Sequence, residues 1–195
     1  MSRTVNEKRP AELLETIHGY LLANGISDLS LRPLAKAVGV SPRILLYYFG
    51  SREKMLVLLF DQIRQRQRAF YGRPQAGTFG EACRAAWDHM MASGAEPGFR
   101  LFFEAYGVAL RNPELYKEFL HSTIEDWLGT IAAPLTSEGV DGNEARAFAT
   151  IVLTGIRGFM LDYCTTHDRE RVDRAVQLWS QALDTIALQP KKELI

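Results

Sequence analysis

Apolar residues recur along this chain at three- and four-residue intervals almost from end to end, the spacing of helices that each bury one face. Leu13, Ile17, Tyr20 and Leu21 predict a first helix from about Arg9 to Ala23, closed by Asn24-Gly25. Leu31 to Phe49, LRPLAKAVGVSPRILLYYF, reads as two short helices bent around a glycine turn. Ser30 is expected to cap the first, whose apolar face is Leu34, Ala35 and Val38. Gly39 can take the positive φ that ends it, and Ala35 and Gly39 are small where the two helices have to approach. Ser41 is a candidate N-cap and Pro42 suits the first helical position. Ile44, Leu45 and Tyr48 then face the core, while Arg43 and Tyr47 face outward.

The remainder continues the pattern. Ser51 can cap a fourth helix with Glu53 in its first turn, through Met55, Leu56, Leu59, Phe60 and Ile63. That helix turns basic at Arg64, Arg66 and Arg68. Gly72, Pro74, Gly77 and Gly80 mark a boundary. Beyond it, Phe79, Cys83, Trp87 and Met90 form one stripe, and Phe99, Phe102, Phe103, Tyr106 and Leu110 another. A longer helix follows from Leu115 through Phe119, Thr123, Trp127 and Ile131. Asp141 with Glu144 resembles a capping box. It opens a helix, through Phe148, Val152, Ile156, Phe159 and Tyr163, that is apolar on nearly every side and so suited to burial on two faces. Asp168 starts the last helix, with Val172, Ala175, Val176, Trp179, Leu183 and Ile186 inward. The fold class is all-α, with no strand alternation and no repeat. It divides into a helix-turn-helix region (1–50), a connecting helix (51–73) and a larger helical domain (74–195).

Charge sharpens this division. The 195 residues have no net charge, but residues 1–73 hold twelve Lys or Arg against six Asp or Glu, and residues 74–195 carry the opposite excess. A basic first part suits a polyanion, since neutralised phosphates release counterions. No uninterrupted apolar run reaches the ~18 residues of a membrane span, and no apolar secretory segment follows the polar N-terminus. Cys83 and Cys164 make neither a disulfide framework nor a metal knuckle and read as buried thiols of a cytoplasmic protein. No nucleophile elbow, HExxH, phosphate loop or placed Ser-His-Asp set points to catalysis, and no cofactor or metal spacing is present.

A helix-turn-helix puts its second helix in the major groove of DNA. Arg43 could make bidentate hydrogen bonds to guanine O6 and N7, worth about 1–3 kcal/mol of discrimination. Arg52, beside a helix N-terminus, adds charge to a ready phosphate site. Tyr48, three residues after Leu45, belongs mainly to the core face.

Leu29 to Leu56, LSLRPLAKAVGVSPRILLYYFGSREKML, resembles the TetR family of bacterial transcription regulators. The resemblance rests on Ala35, Gly39-Val40-Ser41, the aromatic pair before Phe49, Ser51-Arg52-Glu53 and Leu56. It implies about nine helices, a homodimer on a palindromic operator, usually as a repressor, and release by a small molecule bound in the C-terminal domain. Position by position it makes Arg32, Pro42, Arg43 and Tyr47 DNA-facing and Arg52 a phosphate contact. Leu46 departs: the family usually has there a Tyr that contacts the DNA backbone, and Tyr47 or Tyr48 is the replacement candidate. An activator or a helical adaptor on the same fold is the alternative.

For the effector, Trp87, Met90, Phe102, Phe103, Tyr106, Phe119, Trp127 and Met160 are large adaptable side chains, with Arg157 a polar group, which suits an apolar or aromatic ligand. The last two helices are the expected dimer surface. Gly155 would permit close approach, and Val152, Ile156, Phe159, Trp179 and Leu183 would add apolar area.

Overall fold

The computed structural model describes residues 9–27, 29–71 and 77–187, with the side chains of 66–71 and 187 excepted. Among them are nine helices and no strand. They are α1 (Arg9–Asn24), α2 (Leu31–Ala37), α3 (Pro42–Phe49), α4 (Arg52–Tyr71), α5 (Phe79–Ala92), α6 (Glu96–Arg111), α7 (Lys117–Ser137), α8 (Gly142–Thr166) and α9 (Arg169–Ala187). Gly72 and Pro74 of the expected boundary, the side chains of Arg66 and Arg68, and residues 188–195 lie outside the described set.

The chain forms two compact units. The first comprises residues up to 66 together with 100–120; the second comprises 67–99 and 121 onward. The first unit has one core. Leu13, Ile17 and Leu21 of α1, Leu34 and Ala35 of α2, Leu45 and Phe49 of α3, and Met55, Leu56, Leu59 and Phe60 of α4 pack with Leu101, Ala105 and Ala109 of α6 and with Tyr116 and Phe119. Burial of apolar side chains on this scale stabilises by roughly 1.5–3 kcal/mol each before entropy is counted. In the second unit Leu135, Ala145, Phe148, Val152 and Leu183 form one cluster, and Leu128, Ala149 and Leu153 another.

Helix starts follow side-chain chemistry, with exceptions. Ser41 Oγ accepts from Ile44 N at 3.3 Å and Ser51 Oγ from Lys54 N at 3.1 Å. Ser30 occupies the N-cap of α2 without any side-chain cap bond. Asp141 accepts from the amides of Asn143 and Glu144. The full capping box is instead at α5, where Thr78 and Glu81 bond reciprocally. Its Thr78-x-x-Glu81 signature starts a helix where the neighbouring glycines suggest a loop.

Four apolar expectations fail on exposure. Ile44 does not join Leu45 in the core, and Leu110, Leu115 and Ile186 also face solvent. Ile44, Leu110 and Ile186 sit at the edge of their helices' apolar arcs, where periodicity alone does not decide burial, and Leu115 lies in the turn before α7. Cys83 and Cys164 are half-buried. Burial, aided by the charge of Asp184, pushes the Cys83 thiol up to about 12, so it stays protonated and unreactive. α8 is long and apolar enough to cross a membrane by length and composition, its mean hydropathy over eighteen residues being 1.3, although it contains no unbroken apolar run. It packs against α9 and α5 within the second unit.

Candidate nucleic-acid interface

The turn between α2 and α3 is built by backbone geometry. Val38 N donates to Leu34 O, Gly39 N to Lys36 O, and Val40 N reaches back to Ala35 O at 2.9 Å. Gly39 holds φ at +72°, which an L side chain adopts only with strain. A Cβ there would meet nothing within 4 Å. The glycine therefore serves the turn's conformation and not, as its size suggested, a close helix contact. Ala35, fully buried, is the residue for which smallness counts.

Burying Leu45 and Phe49 fixes how α3 is rotated. Its opposite side then presents Arg43 and, one turn later, Tyr47, which is 70% exposed. Arg32 and Lys36 of α2 are exposed as well, and neither they nor Arg43 joins an ion pair among the described residues. Ser41 is exposed at the entry of α3 and Pro42 half-buried beside it. Tyr48 is half-buried. Its ring meets that of Tyr47 edge-on at 5.2 Å and props it outward. These cations and hydrogen-bonding groups surround a helix that is open along its length, the arrangement needed to enter a groove and contact flanking phosphates.

Arg52 is less free than its sequence position suggested. Its Nε donates to Leu29 O at 3.0 Å, and Nη1 lies 3.7 Å from Glu53 Oε1. It ties the start of α4 to the strand-like segment before α2, so part of its donor set is already engaged. A second tie was invisible in the sequence. The Glu104 carboxylate on α6 accepts the backbone N–H of Ile26, immediately after Gly25 turns the chain at φ +74°. This fixes the corner between α1 and α2.

The expected effector residues fall into two groups. In the first unit Phe102 meets Phe103 and Tyr106 at ring separations of 5.3 and 5.0 Å, and Tyr106 meets Phe119 at 5.8 Å. In the second, buried Trp87 packs against Phe99 and Phe159 and donates its indole N–H to Asp173 Oδ1 at 2.7 Å. Met90 and Met160 are buried, and Trp127 borders the Leu128 cluster. Arg157 donates to Thr123 O at 2.6 Å. A surface depression of about 320 Å³ between α5 and α9 contains none of them. Charged Glu81, Arg84, Asp88 and Asp184 share its lining with Gly80, Ala85, Ser180 and Gln181.

The expected dimer residues pack largely inside the chain. Val152 and Leu183 are buried. A Cβ on Gly155 would fall 2.6 Å from the Trp179 ring, which also meets Phe159 at 5.4 Å. Ile156 is half-buried. What α8 and α9 turn outward is Ile151, Leu161, Leu178 and Ile186.

A family model described as bacterial regulatory proteins, tetR family, matches residues 13–59. That interval runs from within α1 through α2 and α3 into the first part of α4. The HTH-type transcriptional regulator EthR of Mycolicibacterium smegmatis is 24% identical over 147 residues, 70% of this chain. The match spans 64% of EthR, under two thirds of its length. Among solved structures, a transcriptional regulator from Rhodococcus sp. Rha1 superposes with a TM-score of 0.75 at 18% identity, covering 89% of this chain and 95% of that one. BioQ, solved with its natural double-stranded DNA operator, superposes at 0.55 with 21% identity over 90% of this chain and 98% of its own. At these identities the structures share a fold.

Proposed function

The chain belongs to the tetR family of bacterial regulatory proteins, and from that premise we propose that it represses transcription as a homodimer on a palindromic operator, released by a small apolar or aromatic effector. It is a DNA-binding regulator and not an enzyme. The observation that carries the operator reading is the exposure of Arg43 and Tyr47 on the side of α3 opposite buried Leu45 and Phe49. BioQ, similar in fold, binds a double-stranded operator, which supports the same use here. Such work belongs in the cytoplasm, where the DNA is.

Dimerisation is supported by the outward apolar residues of α8 and α9. Leu161 is 51% and Leu178 64% exposed, beside exposed Ile151 and Ile186. A two-fold pair would bury both helices' outer faces and set two recognition helices about 34 Å apart, one turn of DNA. An effector that prefers an arrangement with the wrong spacing would lower operator affinity by its differential affinity for the two arrangements. The aromatic clusters of α5 to α8 suit an apolar or aromatic ligand.

The test begins with duplexes selected from a random library by the purified protein. Arg43→Ala should weaken the selected duplex roughly 5- to 150-fold and random duplex far less. Equal loss on both would leave Arg43 a phosphate contact. Failure to enrich any sequence would overturn the operator reading. Screening apolar and aromatic compounds for displacement and thermal shift tests the effector, and a flat response throughout would reject it.

A further inference from the structure

α3 exposes more than the ridge formed by Arg43 and Tyr47. Leu46 is 43% exposed on one side of that ridge and Ile44 is 40% exposed on the other. Neither had to be there for the fold, since Leu45 and Phe49 already anchor the helix. Together with Tyr47 they put three exposed apolar or aromatic side chains on one short helix, and clustered apolar surface marks an interaction site. Their surroundings name the occupant. Exposed Arg32, Lys36 and Arg43 flank them, so the surface that covers them must be polyanionic outside and apolar at points within. The DNA major groove meets that description. Phosphates line its rims, and on its floor the one apolar group is the thymine C5-methyl. A protein surface would instead require the cations to be paired or kept at a rim.

We propose that Leu46, with Ile44, reads thymine methyl groups in the operator, so that the site is specified by apolar contact on either side of the Arg43 hydrogen bonds. This rests on the operator reading above and adds the base chemistry to it. Arg43 can select guanine through two acceptors. Leu46 and Ile44 offer no donor or acceptor and can distinguish bases only by shape and desolvation. Each thymine methyl removed from water in this way should strengthen binding about fourfold, the worth of one buried carbon.

Replacing thymine by uracil removes that methyl and leaves pairing and hydrogen-bonding groups intact. Full-length protein is titrated against the selected duplex and against copies carrying uracil at single symmetric positions. At one position or more, uracil should weaken binding about fourfold per half-site. Leu46→Ala or Ile44→Ala should lose the distinction between the thymine and uracil duplexes at the position that residue reads. A thermal midpoint near wild type checks that each variant is folded. Indifference of the wild-type protein to uracil at every position would overturn the proposal while leaving the operator reading intact. So would a uracil penalty that both variants retain. If no duplex is enriched, the operator reading falls and this proposal with it.

Discussion

Glu104 holds the corner at Gly25 and Ile26 through a bond between residues 78 apart in the chain. Ile26 is fully buried, so deleting the acceptor strands its amide. Glu104→Ala should cost about 1–3 kcal/mol, seen as a lower denaturation midpoint, whereas Glu104→Gln keeps an acceptor oxygen and should lose less. His18 on α1 makes a different prediction. Half-burial lowers its pKa from 6.5, because desolvation disfavours the imidazolium. The unfolded chain therefore takes up that proton first as pH falls. The stability His18 contributes is full above the unfolded value and declines below it until the folded imidazole also protonates. Unfolding temperatures should fall as pH drops through 6.5, and His18→Gln should narrow the fall. An unchanged pH dependence in that variant would assign the effect elsewhere.

Among elements, α5 packs closely on α9. Asp184 of α9 accepts from Thr78 Oγ1 at 2.9 Å and from Gly80 N at 2.7 Å, and a Cβ on Gly80 would run into the Ser180 carbonyl. That oxygen is backbone and cannot swing aside. Gly80→Ala should destabilise by about 1–3 kcal/mol in urea unfolding, as overpacking does. Gly107→Ala on α6 is the control. Nothing lies within 4 Å of its added Cβ, so it should be neutral or gain up to about 1 kcal/mol from helix propensity. Gly80 looked from the sequence like part of a loop. Its place in the first turn of α5 follows from the Thr78–Glu81 capping box that brackets it.

For the whole molecule the proposed assembly carries the prediction. Leu161→Glu with Leu178→Glu would put a charge on each outer face twice over, because two-fold symmetry repeats every change. Sedimentation should show a monomer at concentrations where wild type is dimeric, the dissociation constant rising by at least about a hundredfold. Operator affinity should fall with it while the thermal midpoint of the protomer stays near wild type. A dimer that survives both changes would place the interface on another surface.

The nine helices among the described residues, their caps at Ser41, Ser51 and Asp141, and the outward placing of Arg43 and Tyr47 on α3 were legible in the sequence by itself. Such features depend on residues within one or two turns of each other, where periodicity and capping chemistry act. So was the resemblance to the tetR family, through Leu29 to Leu56. Only the tertiary structure decided which side of an apolar helix is used within the chain. Gly155 and Trp179 pack α8 on α9, leaving Leu161 and Leu178 outside, and Ile44 remains exposed while Leu45 is buried. Likewise Glu104 meets Ile26 only because folding brings α6 to the end of α1. A helix's own residues state how apolar each face is; which face is covered depends on partners distant in sequence, and burial is a property of the pair.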